Sequence, residues 1–267
     1  MQWPIPPFPV KAVVGTETSV SANSANTKGN WITLLTLPAG AAASWLSLGT
    51  LQISQAGDRA GLMDIAIGGA GSETIVAADL VVGYRDHSAT LFPLHIPAGA
   101  TIRARLATAL SSMNIWTTAT AYCGEPESGL TTPGRITTYG TVPATSSGTH
   151  VTPSGSMNVK GSWAELAAAT TSPIHALMVL VQSSTSAPSS ARYAIDIGIG
   201  GAGSETVIVP DHHVRTQNSP AYVYPQSPQF VPLSMCIPAG VRLAARCAVT
   251  SGSVTTPIEV AVYGFTY

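Results

Sequence analysis

Apolar and polar residues alternate along short stretches of this chain, as they do in β-strands with one buried face. The stretch 45–53, WLSLGTLQI, alternates over much of its length, and 31–37, WITLLTL, is typical of a core strand. Turn sequences such as Pro-Ala-Gly at 38–40 separate these stretches. Helical periodicity is almost absent, so the pattern predicts an all-β protein.

One string of eleven residues occurs twice. DIAIGGAGSET at 64–74 returns at 196–206 as DIGIGGAGSET, so that only Ala66 changes, to Gly198. KGNW at 28–31 matches KGSW at 160–163, and PLHIPAG at 93–99 matches PLSMCIPAG at 232–240 once two residues are looped out. Repetition on this scale indicates that a whole domain was duplicated.

The repeat predicts two tandem β-sandwiches of jelly-roll-like type. The expected divisions are an extended Pro-rich arm at 1–10, a first sandwich at 11–123, a linker at 124–139 and a second sandwich at 140–267. Copies of about 120 residues are large enough for one core each. The stretch 164–169, AELAAA, has a helical composition but aligns with the strand at 32–37, so we predict a strand there.

Composition limits the possible partners. Charged residues make up 9% of the 267 residues and the net charge is −1, whereas about 25% is usual in soluble domains. Such a chain is not expected to bind nucleic acid, which calls for clustered Lys and Arg.

No stretch approaches the roughly 18 apolar residues of a membrane span. The first residues also lack the basic and apolar regions of a signal peptide, so we expect synthesis in a cytoplasm.

Metal and cofactor chemistry is not indicated. The three cysteines have no CxxC spacing, so we expect them to be small buried apolar residues rather than disulfides or zinc ligands. The glycines of the repeated string fit neither GxGxxG nor a P-loop, and we interpret them as a tight turn that needs positive φ. We therefore predict no cofactor, no metal and no catalytic residue.

Two further groups of residues are predicted to be structural. Glu73 with Arg105, and Glu205 with Arg246, recur in both copies of a chain poor in charge. We predict that each pair holds the Gly-rich turn against the neighbouring strand; the alternative is solvated charges of little energetic value. Trp31 and Trp163 are predicted to be core residues.

The first nine residues contain four prolines and several bulky apolar side chains, which favours an extended arm. Trp3, Pro4, Ile5 and Phe8 would anchor this arm. Either the arm packs on its own domain, or it attaches the molecule to a larger body.

The Gly-containing turn, the PL-IPAG strand pair and the Tyr-ended closing strand of each copy resemble a domain of structural proteins in tailed bacteriophages and gene transfer agents. Those proteins are fibre, spike or tail-tip components. The resemblance implies a virion protein displayed outside the particle, in contact with other virion proteins and forming a homo-oligomer. Trimeric and pentameric arrangements are both compatible with this resemblance.

The longest insertion in the second copy, 210–226, is the richest candidate for binding. Tyr222 and Tyr224 could stack on sugar rings. The side chains that could hydrogen-bond sugar hydroxyls are Asp211, Arg215, Gln217 and Asn218. Alternatively, the tyrosines cover their own sandwich or a neighbouring subunit.

These observations predict a non-enzymatic virion protein that contributes to attachment to host surface polysaccharide. The first alternative is a capsid or tail decoration protein with a mechanical role. A polysaccharide depolymerase is less favoured, because the sequence contains neither a short solenoid repeat nor a recognisable pair of catalytic carboxylates.

Overall fold

The computed structural model describes residues 11–52, 61–82, 88–111, 113–124, 133–183, 191–215, 218–219, 222–223, 229–250 and 254–267. These residues form twenty-one strands and no helix, which confirms the all-β class. The strands are β1 (Lys11–Val14), β2 (Thr18–Ser21), β3 (Ile32–Thr36), β4 (Ala43–Gln52), β5 (Gly61–Ile67), β6 (Thr74–Val82), β7 (Ser88–Ile96), β8 (Thr101–Thr108), β9 (Asn114–Cys123), β10 (Arg135–Tyr139), β11 (Thr141–Val142), β12 (Ser147–Val151), β13 (Ala164–Ala167), β14 (Ile174–Ser183), β15 (Arg192–Ile199), β16 (Thr206–Arg215), β17 (Asn218–Ser219), β18 (Tyr222–Val223), β19 (Gln229–Ile237), β20 (Leu243–Val249) and β21 (Ile258–Thr266).

The first sandwich consists of two antiparallel layers. One layer has the order β1-β9-β4-β7, with β2 pairing further along β9. The other has the order β3-β8-β5-β6. Alternate side chains of each layer face the core, as the burial pattern of β9 shows by alternating between half-buried and buried at every residue.

The second sandwich repeats this arrangement. Strands β10 and β12 pair with β21, β21 pairs with β14, and β14 pairs with β19, while the opposite layer has the order β13-β20-β15-β16. Strand β10 thus corresponds to β1, and β21 corresponds to β9. Because β10 spans Arg135–Tyr139, the last five residues of the predicted linker at 124–139 belong to the second sandwich.

Strand β13 illustrates how tertiary context overrides composition. Its sequence AELA favours a helix, but it pairs antiparallel with β20 as an edge strand of the second sandwich. The predicted strand at this position is confirmed.

The two sandwiches are joined through their sheets. Strand β10 pairs in parallel with β6 of the first sandwich, with Ile136 beside Ala77 and Thr137 beside Ala78. The hydroxyl of Thr138 also donates a hydrogen bond of 2.6 Å to the carbonyl of Ala78. This pairing makes one ten-stranded sheet from a layer of each sandwich.

Strands β14 and β21 form a shared layer, because they are buried on both faces. One face belongs to the core of the first sandwich, and its side chains include Met178, Leu180, Tyr263 and Phe265. The other face belongs to the core of the second sandwich, and its side chains include Leu177, Val179, Val260 and Val262. A strand buried on both faces loses the polar alternation of an ordinary sandwich strand.

Tyr263 fixes the shared layer to the first sandwich. Its hydroxyl donates a hydrogen bond of 3.1 Å to the carbonyl of Val81 and accepts one of 3.0 Å from the amide of the same residue. Its ring centroid lies 5.9 Å from that of Phe92. Complete burial raises the pKa of Tyr263, so its phenol stays protonated and able to donate.

The Gly-rich string forms the turn between β5 and β6, and again between β15 and β16, as predicted. Gly68 and Gly71 have φ of 132° and 81°, and Gly200 and Gly203 have φ of 112° and 82°. A Cβ atom on Gly68 would lie 2.3 Å from the carbonyl oxygen of Ser72. The turn therefore needs glycine for both conformation and space.

The three cysteines are free thiols. Cys123 and Cys247 are buried, as predicted, whereas Cys236 is exposed. The prediction of burial is therefore wrong for Cys236.

Candidate functional site

A cluster of charged side chains occupies the outer face of the β3-β8-β5-β6 layer. Lys28 places its Nζ 2.8 Å from Asp64 Oδ1 and 2.8 Å from Asp79 Oδ1. Arg105 places its Nε 2.8 Å from Asp64 Oδ2. We call Lys28, Asp64, Asp79 and Arg105 the first charge cluster.

Strand register explains how the first charge cluster forms. Asp64 on β5 lies directly opposite Arg105 on β8, where cross-strand side chains are within reach of each other. The β5–β6 register shifts between Met63 and Ile65, and Asp79 has φ of 53°. In this conformation, which aspartate tolerates better than most residues, the amide of Asp79 donates a 2.9 Å hydrogen bond to Asp64 Oδ1.

The second sandwich contains the same cluster. We call Lys160, Asp196, Asp211 and Arg246 the second charge cluster. Lys160 Nζ lies 2.6 Å from Asp196 Oδ1 and 2.8 Å from Asp211 Oδ1, and Arg246 Nε lies 2.9 Å from Asp196 Oδ2. The Asp211 amide donates a 3.0 Å hydrogen bond to Asp196 Oδ1, and Asp211 has φ of 46°.

A tryptophan completes each cluster. The guanidinium carbon of Arg105 lies 4.6 Å from the ring centroid of Trp31, and that of Arg246 lies 4.5 Å from the ring centroid of Trp163. Such cation–π contacts contribute about 0.5–1 kcal/mol at partly exposed sites. Both tryptophans are half-buried, so the prediction that they are core residues is wrong: each ring covers the sheet from outside.

The predicted partners of the two repeated glutamates are also wrong. Glu73 forms its ion pair with Arg103, and Glu205 with Arg242, at 2.8 Å. The reason is register: Arg105 lies opposite Asp64 near the middle of β5, whereas the Gly-rich turn follows the end of that strand. Each glutamate does hold its turn, but through the arginine nearer to it.

The second copy keeps the ion pair between glutamate and arginine at the Gly-rich turn, but its arginine, Arg242, lies at a different position in the chain. Ala244 occupies the β20 position beside Gly198 that Arg103 occupies beside Ala66 in β8. Arg242, just before β20, reaches Glu205 instead and also binds Glu165 at 2.8 Å.

The electrostatics of the clusters keep the central aspartates ionised. Burial raises the pKa of Asp64, but the charge of Lys28 and the hydrogen bonds from Lys28, Asp79 and Arg105 outweigh it, and the net pKa is lowered. The pKa of Asp196 is lowered in the same way, with burial opposed by the Asp211 amide, Lys160 and Arg246. These carboxylates therefore act as fixed anions at the centre of each sheet.

We predict that stability falls in acid because of these two aspartates and Glu205, whose pKa is lowered because hydrogen bonds from Arg242 and backbone amides outweigh burial. Their folded-state pKa values lie below the unfolded values, so their contribution is complete above about pH 4–5 and is lost as the pH falls through the folded values. Glu259 acts with the opposite sign, since burial raises its pKa. The lowered pKa of His212, caused by burial and by His213, would cost stability already below about pH 6.5. Urea unfolding of a His212→Gln, Glu259→Gln double variant from pH 7 to pH 2.5 should therefore show constant stability above about pH 5 and a decline below about pH 4. Constant stability throughout would contradict the prediction.

Gly198 accounts for the one difference between the two copies of the repeated string. A Cβ atom at this position would lie 2.7 Å from Cη2 of Trp163 and 3.0 Å from its Cζ3. In the second copy the indole therefore rests directly on backbone.

Gly198→Ala is expected to destabilise the protein by about 1–3 kcal/mol, because the added methyl group must displace Trp163 from its position beneath Arg246. Chemical denaturation followed by Trp fluorescence would measure the loss. Gly49→Ala is the matched control, because a Cβ at that strand position meets only the carbonyl oxygen of Thr118, at 3.7 Å. Equal stability of the two variants would refute the steric explanation.

An open groove of about 470 Å³ adjoins the second charge cluster. It is lined by Thr152, Pro153, Ser154, Lys160, Gly161 and Ser162. The ammonium group of Lys160 is already bound by two carboxylates and by the carbonyl of Ala194 at 3.2 Å. Within the described parts of the chain, no group of three or more His, Cys, Asp or Glu side chains could hold a metal ion.

The structure describes only some of the residues predicted to bind sugars. Asp211 and Arg215 lie on β16 rather than in a loop, and Asp211 is bound to Lys160. Asn218 and Tyr222 lie on the small hairpin of β17 and β18, which pairs Asn218 with Val223 and Ser219 with Tyr222; their side chains lie outside what is described. Gln217 and Tyr224, like the predicted anchor residues Trp3, Pro4, Ile5 and Phe8, lie outside the described residues.

Sequence patterns alone did not reveal the structural roles of Lys28, Lys160, Asp64, Asp196, Asp79 and Asp211. The repeat itself contained the signal, since each of these residues has a charged counterpart of the same type in the other copy. Their role became visible only with the register of β5, β6 and β8.

Comparisons with known proteins assign no family. No protein-family model matches the chain, and no curated protein matches it. Among solved structures, PNGF-II in the C2 space group aligns with a TM-score of 0.38 and 10% identity, covering 97% of this chain, and this chain spans 65% of the length of that one.

Two other solved structures align more weakly. The N-terminal CBM22-1–CBM22-2 tandem domain of Paenibacillus barcinonensis Xyn10C aligns at a TM-score of 0.26 and 10% identity, over 97% of this chain and 92% of that one. The T13 IBDV viral particle protein aligns at 0.26 and 9% identity, over 100% and 72%. At these scores the similarities establish neither a shared fold nor a function. The described residues contain no helix that could cross a membrane.

Proposed function

We propose that this chain is a non-enzymatic structural protein of a phage-like particle, displayed at the particle surface and in contact with polysaccharide of the host. The main observation in support of this proposal is the shared layer. One layer that closes two cores ties the sandwiches into a rigid body, as a fibre, spike or tail accessory protein requires. The resemblance of the repeated Gly turn and the IPAG strand pair to structural proteins of tailed phages and gene transfer agents supports the same location.

The charge clusters support a non-enzymatic role. A glycoside hydrolase of the common type needs a carboxylic acid with a raised pKa close to a second carboxylate. Asp64 and Asp79 are close, but both bind Lys28, and the pKa of Asp64 is lowered. Asp196 and Asp211 share Lys160 in the same way. The two acidic pairs are thus arranged to hold a sheet rather than to transfer protons.

The proposal includes two kinds of partner. Residues 1–10, with Trp3, Pro4, Ile5 and Phe8, would attach the body to other virion proteins, and copies of the chain would assemble as a trimer or a pentamer. The polysaccharide would bind on the folded body rather than on the arm.

A comparison of the full chain with a chain that begins at Lys11 tests this proposal. Particles from cells that encode the chain would be pelleted with each protein, and light scattering would give the mass of each in solution. We expect the full chain to bind particles and to form a closed oligomer, and the shortened chain to lose particle binding. Failure of the full chain to bind particles would overturn the proposal.

Measurements with host polysaccharide separate the attachment role from its alternatives. A rise in melting temperature with unchanged polymer length is expected for attachment. Particle binding without any polysaccharide effect would instead indicate a decoration protein. Shortening of the polymer would indicate a depolymerase and overturn the non-enzymatic assignment.

A further inference from the structure

One sheet face of the first sandwich, turned away from its core, combines half-buried aromatic rings with hydroxyl groups. It lies on β4 and β9, on the side away from the core, where burial alternates residue by residue. Its half-buried side chains are Trp45, Ser47, Trp116, Thr118, Thr120 and Tyr122, which we call the open face.

Strand pairing sets the arrangement of the open face. Trp45 lies directly opposite Tyr122, Ser47 opposite Thr120, and Gly49 opposite Thr118. Side chains opposite one another are about 4.5–5.5 Å apart at Cβ. Because strands rise about 3.3 Å per residue, Trp116 and Tyr122 lie about 20 Å apart at the two ends of one row. The row is long enough for an oligosaccharide.

The corresponding face of the second sandwich is not open. It is the side of the shared layer that enters the first core, where Met178 lies opposite Tyr263 and Leu180 opposite Ala261. Comparing the two copies therefore shows what a protein-covered version of this face looks like. Met178, Leu180, Ala261 and Tyr263 are largely hydrocarbon, and the polar pair of this face, Gln182 opposite Glu259, lies at the next paired position.

The open face carries more hydroxyl groups than its covered counterpart. Ser47 and Thr120 stand where the second sandwich has Leu180 and Ala261, and Trp45 stands in place of Met178. Covering these hydroxyls with another protein core would leave them without partners, at about 1–3 kcal/mol each. The face therefore fits a partner that supplies hydrogen-bonding groups between apolar surfaces.

A neutral sugar chain has this chemistry. Each ring presents C–H groups on its faces, which pack on Trp and Tyr rings, and hydroxyls at its rim, which bond to Ser and Thr. The strand stretches 43–50 and 114–123 contain no Asp, Glu, Lys or Arg, so nothing on them would favour an acidic polymer.

We propose that the open face binds a neutral polysaccharide along the row from Trp116 to Tyr122. This assignment rests on the proposed attachment function and names its contact surface, which is separate from the β17–β18 hairpin. The rings of Trp45 and Tyr122 form one stacking position and Trp116 forms another, with the hydroxyls of Thr118 and Thr120 between them.

Isothermal titration of the full chain with dextran, galactomannan and soluble β-glucan as neutral probes, and alginate as an acidic probe, tests the assignment. We expect at least one neutral polymer to bind and alginate not to bind. Trp116→Ala should weaken binding at least tenfold. Thr118→Glu, which adds a charge to the face without removing a buried group, should do the same. Met157→Ala, at an exposed position outside the face, should bind like the unmodified chain, and Tyr222→Ala tests the hairpin as the rival contact. Thermal melting would confirm that each variant is folded.

Other outcomes overturn the assignment in distinguishable ways. Loss of binding in Tyr222→Ala with full binding in both open-face variants would move the contact to the hairpin and leave the proposed function standing. Absence of binding to every neutral polymer would overturn the assignment, and particle binding measured separately would then decide the proposed function. A concentration-dependent oligomer that Thr118→Glu dissociates would assign the face to a second copy of the chain.

Discussion

A chain that ends at Gly124 is expected not to fold, even though it contains every strand of the first sandwich. The core of that sandwich includes seven side chains from the second: Ile136, Ala176, Met178, Leu180, Ala261, Tyr263 and Phe265. Removing them would expose apolar core surface, and β6 would lose its parallel partner β10. Circular dichroism should show no cooperative melting.

A chain of residues 133–267 is the matched control, since all residues of the second core lie within it. We expect this chain to melt cooperatively but to self-associate, because one face of its shared layer would be exposed. Cooperative melting of the chain that ends at Gly124, near the melting temperature of the full chain, would refute the dependence of the first sandwich on the second.

Asp196→Asn is expected to cost about 3 kcal/mol, because it leaves Lys160 and Arg246 without their central carboxylate. The side chains of Lys160 and Arg246 retain 19% and 31% of their exposure, so the value lies at the lower end for broken buried ion pairs. Urea unfolding at pH 7 would measure it.

Asp211→Asn serves as the control within the same cluster. The Asp211 side chain is 65% exposed, and Lys160 would keep its contact with Asp196, so a loss below about 1 kcal/mol is expected. A similar loss in both variants would mean that Asp196 has no special role.

Local patterns and the repeat together were enough to predict several of the strands. Alternation predicted β4, and alignment with the first copy correctly made β13 a strand against its composition. The parallel pairing of β10 with β6 could not be predicted in this way, because it joins segments about 60 residues apart. The stretch that forms β10 was predicted to be part of a linker because 124–138 is rich in Gly, Pro, Ser and Thr.

The charge clusters were harder to predict than the strands. Sequence repetition marked Glu73 and Arg105 as important, but the choice between Arg103 and Arg105 depends on which residue of β8 lies beside the turn. Arg242 lies outside the aligned strand altogether, so alignment of the two copies could not identify it as the partner of Glu205.

The shared layer also sets how freely different parts of the chain can change in evolution. A substitution in β14 or β21 must satisfy two cores at once, whereas one in β4 or β9 must satisfy only the core beneath it. Random mutagenesis followed by selection for folded protein should therefore accept far more replacements at Ser47 and Thr120 than at Leu180 and Ala261. Of the two copies, the first is therefore the one whose sheet face can change without disturbing a second core.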